Sequence, residues 1–507
     1  MTKRIFFGLL AATLVFRFWL AAAMPMTGDE AYFFWWGKVP DWGFYDHPPM
    51  VGWWLAALLL FFDAEWWLRL PAVLLPAILA LGAAWTLRSQ SGSIAWGAAT
   101  LVLLAPANVW NVFITTDTPL IYFSFFSALA FLQAARDDDW RYYLLSGLLL
   151  AGAVLSKYFA ALLGVAYLLH ALVYPNRRKW TGLLLCYVAV LPALALMAWW
   201  NADHCWANIM FNVFNRHGDA GWSWKTPLLY AVMMLYLLTP PVLWLFLRRW
   251  STLRTAWTNA GDDAQDRAMY FVAFAPLALF ALLSLVKQIG LHWVLSFVPF
   301  VLIALAQKLE IDRLRRVVRF FVGFALVHIA AILVIAQLSL ETWKSSRIYD
   351  GIVLTFDTQK LLAQLKPYER DYVFASDGYS NAVTYGYNAK TLSPRYFLVF
   401  GQASSHARHD DILTDFRSLD GKNILILRKS SPGVGEYAPY FREVEIRTTE
   451  VRGATFHFVL GRGFNYPAYR DRILSDVRAK YYAVPSWLPQ RGCYFCDRYF
   501  QGQQCRK

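Results

Sequence analysis

Long apolar runs constrain this chain more than any other feature. The segments "PAVLLPAILALGAAWTL" (71–87) and "YFVAFAPLALFALLSLV" (270–286) approach the roughly 20 apolar residues that a helix needs to cross a bilayer. Over the whole chain, 58% of the residues are hydrophobic and 16% are charged, whereas soluble domains contain about 25% charged residues. The sequence therefore predicts a polytopic α-helical membrane protein.

The apolar runs predict about eleven transmembrane helices. The first run, Ile5 to Met24, has no small-residue cleavage site followed by polar chain, so we expect a retained span and not a signal peptide. The predicted spans are 5–25, 66–87, 93–111, 118–135, 141–156, 158–174, 181–200, 226–247, 268–286, 292–307 and 319–339.

Lysine and arginine predict the orientation of these spans. One set of loops holds about 17 positive charges and the alternate set holds about six, so we expect the N-terminus in the cytoplasm and the chain after about residue 340 outside, in the periplasm or its equivalent. The net charge of +14 then needs no nucleic-acid partner, because cytoplasmic basic loops contact anionic membrane lipids.

The C-terminal third differs in composition from the rest. Charged residues are frequent, and short apolar stretches at 371–376, 422–429, 441–447 and 454–461 predict strands. The segments 358–366 and 469–482 predict helices. We therefore expect a transmembrane domain over residues 1–340 and an extracytoplasmic α/β domain over residues 341–507.

Four of the five cysteines fall on the predicted outer side: Cys205, Cys493, Cys496 and Cys505. An oxidising compartment favours a disulfide among them, although the sequence does not give the pairing. The "CYFC" pattern is also compatible with half of a metal site, but a single C-x-x-C is weak evidence. Free thiols are the third alternative, and Cys186 is expected to be packed inside a span.

Ionisable residues gather in the predicted outer loops, next to the membrane. Charges in this position are costly unless they are paired or hydrated, so we expect one site at the outer face. They are Asp29, Glu30, Asp46, His47, Asp117, Lys157, Asp203, His204, Arg216, His217, Asp219, Lys287 and His292.

Each group also has a structural interpretation. Asp29 and Glu30 would stabilise a helix N-terminus, and Asp117 would cap a helix before Thr118. Lys157 would extend to the membrane interface. His204, His217 and His292 fit surface or interfacial positions. The gathering of both signs of charge on one side favours a site.

The motifs exclude several classes of enzyme. There is no Walker sequence or G-x-G-x-x-G turn at a strand–helix junction, and no H-E-x-x-H or G-x-S-x-G motif. A carboxylate beside a cation suits a base that activates a hydroxyl or amine while the cation stabilises a leaving phosphate. A lipid-borne phosphate fits a site that faces away from the cytoplasm better than a soluble nucleotide does.

Four segments in this order, "GDEAYFFWW…GFYDHPPMVGWW", "TTDTPL", "SKYF" and "HWVLSFVPF", resemble polyprenyl-phosphate-dependent glycosyltransferases of the GT-C fold. The closest resemblance is to protein mannosyltransferases and lipid A aminoarabinose transferases, over about residues 5–310. Met50 replaces the leucine that is usual after the paired prolines. The C-terminal domain does not resemble a domain that we can name.

The resemblance implies two catalytic acids, Asp29 as the base that activates the acceptor and Asp117 as a second acid. It implies that Lys157 meets the donor phosphate and that His292 lies near the donor or a metal. The expected substrate-binding residues are Glu30, Tyr32, Asp46, His47, Lys157, Tyr158, Lys287 and His292.

The resulting hypothesis is a single inverting displacement from a polyprenyl-phosphate-linked sugar to a lipid, glycan or protein acceptor. It requires no cofactor, and no residue is assigned as a metal ligand, although a divalent metal is compatible with the resemblance. An outer-face oligosaccharide polymerase or ligase is the first alternative. A flippase or transporter is the second, but we find no internal repeat, and most charges lie at one membrane edge and not at the midplane.

Overall fold

The computed structural model of the 507-residue chain describes residues 1–215, 221–248, 264–389, 396–502 and 505. These residues form two compact units. The first unit comprises the described residues within 1–24, 62–196 and 221–336, and the second comprises those within 25–61, 197–215 and 337–505. The last change of unit lies close to the predicted domain boundary at 340. The second unit also takes in two earlier segments, which the sequence assigns to the membrane domain.

Helices dominate the described residues before 340. In chain order they are α1 (Lys3–Ala23), α2 (Gly28–Lys38), α3 (Met50–Leu59), α4 (Glu65–Leu68), α5 (Leu70–Thr86), α6 (Gly92–Leu103), α7 (Pro106–Trp110), α8 (Asp117–Asp137), α9 (Trp140–Val154), α10 (Ala161–Val173), α11 (Arg177–Asp203), α12 (Ala207–Ile209), α13 (Lys225–Leu238), α14 (Pro240–Arg248), α15 (Ala264–Leu283), α16 (Val298–Lys308) and α17 (Ile311–Gln337). Short 3₁₀ turns cover Tyr158–Ala160 and Leu291–Val294, and a π-helical turn covers Met210–Phe214.

Among the described residues, six helices are long and apolar enough to cross a membrane, or seven if α13 and α14 count as one span. The predicted count of about eleven is therefore not confirmed. The predicted span 226–247 is broken, since α13 and α14 meet at an angle of 103°. Pro240 and Pro241 explain the break, because proline disfavours helical backbone in the preceding residue, and Thr239 adopts a positive φ of 68°. Shorter apolar helices occupy several of the other predicted spans.

A buried arginine joins three helices of the first unit. Arg17, in the middle of α1, donates hydrogen bonds to the backbone carbonyls of Ala72 (2.6 Å), Val73 (3.0 Å), Asn108 and Asn111 (2.8 Å). A charged side chain within a span is costly unless it faces the bundle interior and finds polar partners. Ala72 and Val73 belong to α5, Asn108 belongs to α7, and Asn111 directly follows α7. Their carbonyls give Arg17 a structural role.

The second unit is built on a five-stranded mixed sheet. Its strands are β1 (Val373–Ser376), β2 (Leu398–Val399), β3 (Ile424–Arg428), β4 (Phe441–Val451) and β5 (Ala454–Phe464), in the order β2-β1-β3-β5-β4. Its further helices are α18 (Tyr349–Phe356), α19 (Thr358–Leu365), α20 (Tyr379–Asn388), α21 (Asp410–Leu413), α22 (Val434–Tyr437), α23 (Tyr466–Tyr469), α24 (Ser475–Tyr481) and α25 (Tyr494–Tyr499).

Both faces of the sheet are covered. Along β3, Ile424 and Ile426 enter one apolar cluster, whereas Leu425 and Leu427 enter the other, as the two-residue period of a strand requires. β1 runs parallel to β2 and β3, and β5 runs antiparallel to β3 and β4. The four predicted strands are present, which confirms the membrane-helix plus α/β fold class. The two-residue β2 was not predicted.

Two disulfides tie the end of the chain into the second unit. Cys205 bonds to Cys493, and Cys496 bonds to Cys505. The two cysteines of "CYFC" therefore belong to different disulfides, and of the three sequence alternatives the structure contains the disulfides. Arg491 reinforces the first link with an ion pair to Asp203 (2.8 Å). Cys186 is a buried free thiol.

Candidate active site

Two adjacent acids at the start of α2 have different environments. Thr27 caps the helix: its hydroxyl accepts from the backbone N–H of Glu30, and the Glu30 carboxylate accepts from the Thr27 backbone N–H at 3.0 Å. Glu30 is fully buried. The capping box gives Glu30 a structural role, while Asp29 lies exposed in the same turn.

The start of α2 packs closely against α20. A Cβ added to Gly28 would lie 2.1 Å from Ser380 Oγ, so glycine permits this approach. The Tyr379 hydroxyl donates to Asp29 Oδ1 at 3.3 Å. The Asp29 carboxylate is thus fixed on one side by a tyrosine from the C-terminal part of the chain.

Asp46 lies at the centre of a buried hydrogen-bond chain. The His409 backbone N–H donates to the Tyr32 hydroxyl (2.9 Å), which donates to Asp46 Oδ1 (3.2 Å). Asp46 is only 8% exposed, and burial raises its pKa to about 6, with the nearby charge of Asp29 adding to the rise. Arg408 and the Tyr32 hydrogen bond oppose it. The pKa of Asp46 therefore lies well above that of an ordinary carboxyl.

His47 lies in the turn that presents Asp46. Its carbonyl accepts from the Phe44 backbone N–H at 3.0 Å, and its half-buried ring lies edge-on to Trp36. Asn212 supports the same turn by donating to the Asp46 carbonyl at 2.8 Å. Hydrogen bonds from Phe44 and Asn212 thus hold the turn formed by residues 44–47.

The segment His406–Asp411 also contributes to this group of residues, although no motif in the sequence predicted it. Arg408 lies between the rings of Phe211 (4.8 Å) and Tyr379 (4.9 Å), where it acts electrostatically on Asp46 and Tyr32. The preceding residue, Ala407, has a positive φ of 66°, an uncommon conformation for a non-glycine residue.

Buried hydrogen bonds maintain that conformation. Asp411 Oδ2 accepts from the Ala407 backbone N–H (2.9 Å) and the Tyr482 hydroxyl (2.7 Å), and Asp411 Oδ1 lies 2.9 Å from His406 Nδ1. The dense "HARHDD" run was the available signal, but no pattern in the sequence connects it with Asp46.

In the first unit, the structure brings Asp117 and Lys157 together. Lys157 Nζ lies 2.8 and 2.9 Å from the two oxygens of Asp117. Asp117 begins α8, and Lys157 lies in an extended residue before the Tyr158–Ala160 turn. Their exposed fractions are 4% and 5%, so this is a buried ion pair whose members depend on each other.

The turn after Lys157 packs against the turn that holds His292. The rings of Phe159 and Trp293 lie 4.4 Å apart. Tyr158 is half-buried, and His292 is exposed beside Trp293. Lys287 lies half-buried in the loop that follows α15.

The predicted site residues therefore divide between the units. Asp29, Glu30, Tyr32, Asp46 and His47 belong to the second unit, together with the missed Tyr379 and Arg408. The predicted members of the first unit are Asp117, Lys157, Tyr158, Lys287 and His292. Of the other ionisable residues in the predicted outer loops, His204 stacks on Trp200. Arg216, His217 and Asp219 are not among the residues that the structure describes.

Two crystal structures of ArnT from Cupriavidus metallidurans share this fold. The apo structure matches with a TM-score of 0.59 and covers 89% of this chain and 96% of ArnT at 14% identity. The undecaprenyl-phosphate-bound structure matches with a TM-score of 0.57 and covers 89% and 97% at the same identity. The chain has the GT-C fold. At this identity the likeness establishes the fold alone.

Sequence comparisons agree with the GT-C resemblance, which is confirmed. Residues 46–200 match the family described as dolichyl-phosphate-mannose-protein mannosyltransferase, a range that includes Asp46, His47, Asp117, Lys157 and Tyr158. The lipid A galacturonosyltransferase RgtD of Rhizobium johnstonii is 29% identical over 181 residues. That match covers 35% of this chain and 38% of RgtD, so it spans less than two fifths of the relative.

Proposed function

We propose that this GT-C protein is an integral membrane glycosyltransferase that moves a sugar from a polyprenyl phosphate to an acceptor. The acceptor is a lipid, a glycan or a protein at the outer face of the cytoplasmic membrane. The N-terminus lies in the cytoplasm and the chain after 340 in the periplasm, as the distribution of positive charge predicts.

The exposed carboxylate of Asp29 is the observation on which the proposal rests. The carboxylate of the neighbouring Glu30 accepts a hydrogen bond in the helix cap. Asp29 accepts from Tyr379 at one oxygen and remains accessible. Asp29 therefore takes the proton of the acceptor nucleophile, which attacks the anomeric carbon in one inverting step.

The leaving group is the polyprenyl phosphate, which gains negative charge as the glycosidic bond breaks. Lys157 provides a cation for this charge, and Asp117 positions its ammonium group. ArnT has been crystallised with undecaprenyl phosphate, which supports a carrier of this class for the related fold here. The displacement needs no cofactor, and a divalent metal remains compatible with it.

The proposal is tested by mass spectrometry of envelope glycolipids and glycoproteins from a deletion strain complemented with variants. We expect one defined sugar to disappear in the deletion strain and to stay absent with Asp29→Asn, because an amide cannot accept the proton. Asp41→Asn is the matched control, since Asp41 lies in the same segment and accepts from Trp200 Nε1 and not from a catalytic partner. Full transfer by Asp29→Asn would exclude Asp29 as the base.

A second test separates the role of Lys157 in transfer from its role in the ion pair. Lys157→Ala leaves Asp117 buried without its partner and should destabilise the fold by about 3–5 kcal/mol. The double variant Asp117→Asn/Lys157→Met removes both charges, and we expect it to fold nearly as well as the wild type. We expect its transfer rate to be lower by at least about 100-fold. A folded double variant with the wild-type rate would remove this pair from the reaction.

A further inference from the structure

Two cations of the first unit lie close to the same tyrosine. Lys179, in the first turn of α11, has its ammonium group 5.9 Å from the centre of the Tyr174 ring and donates to the Tyr174 carbonyl at 3.4 Å. Arg267, in the first turn of α15, has its guanidinium group 4.8 Å from the centre of the same ring. Both side chains are half-buried, and the charge of Arg267 acts on Lys179. Because like charges repel each other, an anion that contacts both would stabilise this arrangement.

Acids of the first unit do not neutralise these two cations. Neither Lys179 nor Arg267 forms an ion pair in the part of the chain that the structure describes. Asp138 acts on Lys179 electrostatically. Asp266, which precedes Arg267 in the sequence, pairs instead with Lys308 at 2.9 Å. The surroundings of Tyr174 therefore carry more positive than negative charge.

A buried histidine adds a third polar group to this cluster. His170 on α10 is only 1% exposed, and its ring lies 5.8 Å from that of Tyr174 and 5.7 Å from that of Phe271. The charges of Lys179 and Arg267 both act on it. Among the described residues, His170 Nε2 and Arg267 Nε are buried nitrogens without a hydrogen-bond partner. Since buried polar atoms are nearly always hydrogen-bonded, two such nitrogens beside two cations indicate a site for an anion with oxygen atoms.

Exposed apolar side chains lie on the same helix ends. Leu172 and Val173 end α10, Trp180 follows Lys179, and all three are exposed. Apolar side chains suit contact with acyl chains, and tryptophan is frequent at the level of lipid headgroups. Both α11 and α15 are long and apolar enough to cross a membrane, and the two cations lie in their first turns. The cluster is therefore placed where membrane helices meet the headgroup region.

We propose that Lys179, Arg267 and His170 bind the phosphate of an anionic membrane phospholipid. The ammonium and guanidinium groups offset the charge of the phosphate, and N–H groups of Arg267 and His170 donate to its oxygens. The exposed apolar side chains contact the acyl chains. Basic pockets between transmembrane helices are suited to anionic headgroups for these reasons. The inference goes beyond the transfer reaction, because it requires neither Asp29 nor a sugar donor.

The test uses the purified full-length chain, freed of lipid in detergent, and native mass spectrometry. Phosphatidylglycerol and phosphatidylcholine with identical acyl chains are titrated separately. Both contain a phosphate, but the choline ammonium group compensates its charge. We therefore expect phosphatidylglycerol to bind at least about tenfold more tightly, and equal affinity for the two lipids would overturn the proposal.

A soluble probe identifies the source of the phosphate. Glycerol 3-phosphate carries a phosphate but no acyl chains, so we expect it to bind at least about tenfold more weakly than phosphatidylglycerol. Binding of glycerol 3-phosphate as tight as that of phosphatidylglycerol would show that the ligand is a soluble phosphate, and the assignment to a lipid would be wrong.

Variants localise the binding. Lys179→Gln/Arg267→Gln should weaken phosphatidylglycerol binding by about tenfold or more, because both cations are lost. Lys179→Arg/Arg267→Lys keeps both charges and should keep most of the binding. His170→Phe retains a ring and removes the ring nitrogens, so it should weaken binding to a smaller extent than loss of both cations. Unfolding temperatures are measured for every variant, and folded protein alone is titrated.

A matched control separates this cluster from basic charge in general. Arg313→Gln/Arg315→Gln removes the same charge from α17, where the two arginines pair with Glu310 and Asp312. We expect this variant to bind phosphatidylglycerol as the wild type does. A folded Lys179→Gln/Arg267→Gln variant that keeps the wild-type preference for phosphatidylglycerol would contradict the proposal, as would an equal loss of binding in the control.

Discussion

At the scale of single residues, protonation of Asp46 should make the activity of the site formed by Asp29, Tyr32, Asp46, Tyr379 and Arg408 depend on pH. Asp46 is held by Tyr32 from α2, lies near Asp29 and Tyr45, and faces Arg408 and Tyr379 from the C-terminal part of the chain. Its pKa of about 6 is above the usual value of a carboxyl, because burial penalises the charged form. An ionised Asp46 can accept a hydroxyl hydrogen bond from a substrate, but a protonated one accepts less well. The activity should therefore depend on Asp46 being ionised.

We expect kcat/KM for sugar transfer to fall as the pH drops through about 6, as Asp46 takes up a proton. Arg408→Gln removes a cation that lowers this pKa, so the acid limb of the profile should move upward by roughly one pH unit. Arg408→Lys should keep the limb near its original position. The measurement is the pH profile of kcat/KM with a lipid-linked donor.

The Asp46→Asn background provides the control. Without an ionisable group at 46, the limb near pH 6 should disappear, and Arg408→Gln should then move nothing further. A lower rate with an unmoved acid limb in Arg408→Gln would show that Arg408 only supports the fold.

At the scale of elements, the close approach of α2 to α20 places Asp29 beside Tyr379. Gly28 is the contact point, and Trp35 and Phe34 continue the packing against Tyr396 and Tyr387. The capped first turn of α2 thus presents Asp29 from a rigid position. An increase in the distance between these two helices should move Asp29 out of reach of Tyr379.

Gly28→Ala should destabilise the second unit by about 1–3 kcal/mol, because the new methyl group would overlap Ser380 Oγ. We also expect the transfer rate to fall more than the folded fraction does, since Asp29 follows directly. Thermal unfolding and activity of the purified chain are the two measurements. Gly351→Ala is the control: it lies in helix α18, and an added Cβ would meet only Lys429 Nζ, at 3.9 Å. An unchanged unfolding temperature for Gly28→Ala would contradict this packing.

Periodicity predicted most elements because it is a local property. Strands β1, β3, β4 and β5 and helix α19 lie close to their predicted ranges, as do the long apolar helices. The predictions of secondary structure failed where tertiary packing, and not the local sequence pattern, decides the backbone conformation. β2 has only two residues, and span 226–247 contains a Thr-Pro-Pro break whose geometry hydropathy does not reveal. The partners Tyr379 and His409 lie 350 and 377 residues from Asp29 and Tyr32, too far for any sequence pattern to connect.

At the scale of the whole molecule, the chain builds its second unit from segments that are distant in sequence. Residues 25–61 and 197–215 join the sheet region, and the Cys205–Cys493 disulfide closes a separation of 288 residues. The sequence predicted a disulfide among Cys205, Cys493, Cys496 and Cys505, but not how they pair, because pairing depends on the folded backbone. Cross-linking of this kind stabilises a fold chiefly by restricting the unfolded chain.

Removal of the long-range disulfide should therefore be the more damaging of the two losses. We expect Cys205→Ser/Cys493→Ser to lower the free energy of unfolding by about 2–4 kcal/mol, and Cys496→Ser/Cys505→Ser, whose partners are nine residues apart, to lower it less. In denaturant, a maleimide reagent should label only Cys186 before reduction and all five cysteines after it. Cys186→Ala is the control and should leave no labelling before reduction. Labelling of all five cysteines without reductant, in protein taken directly from membranes, would place this part of the second unit in a reducing compartment and reverse the orientation that the positive charges predict.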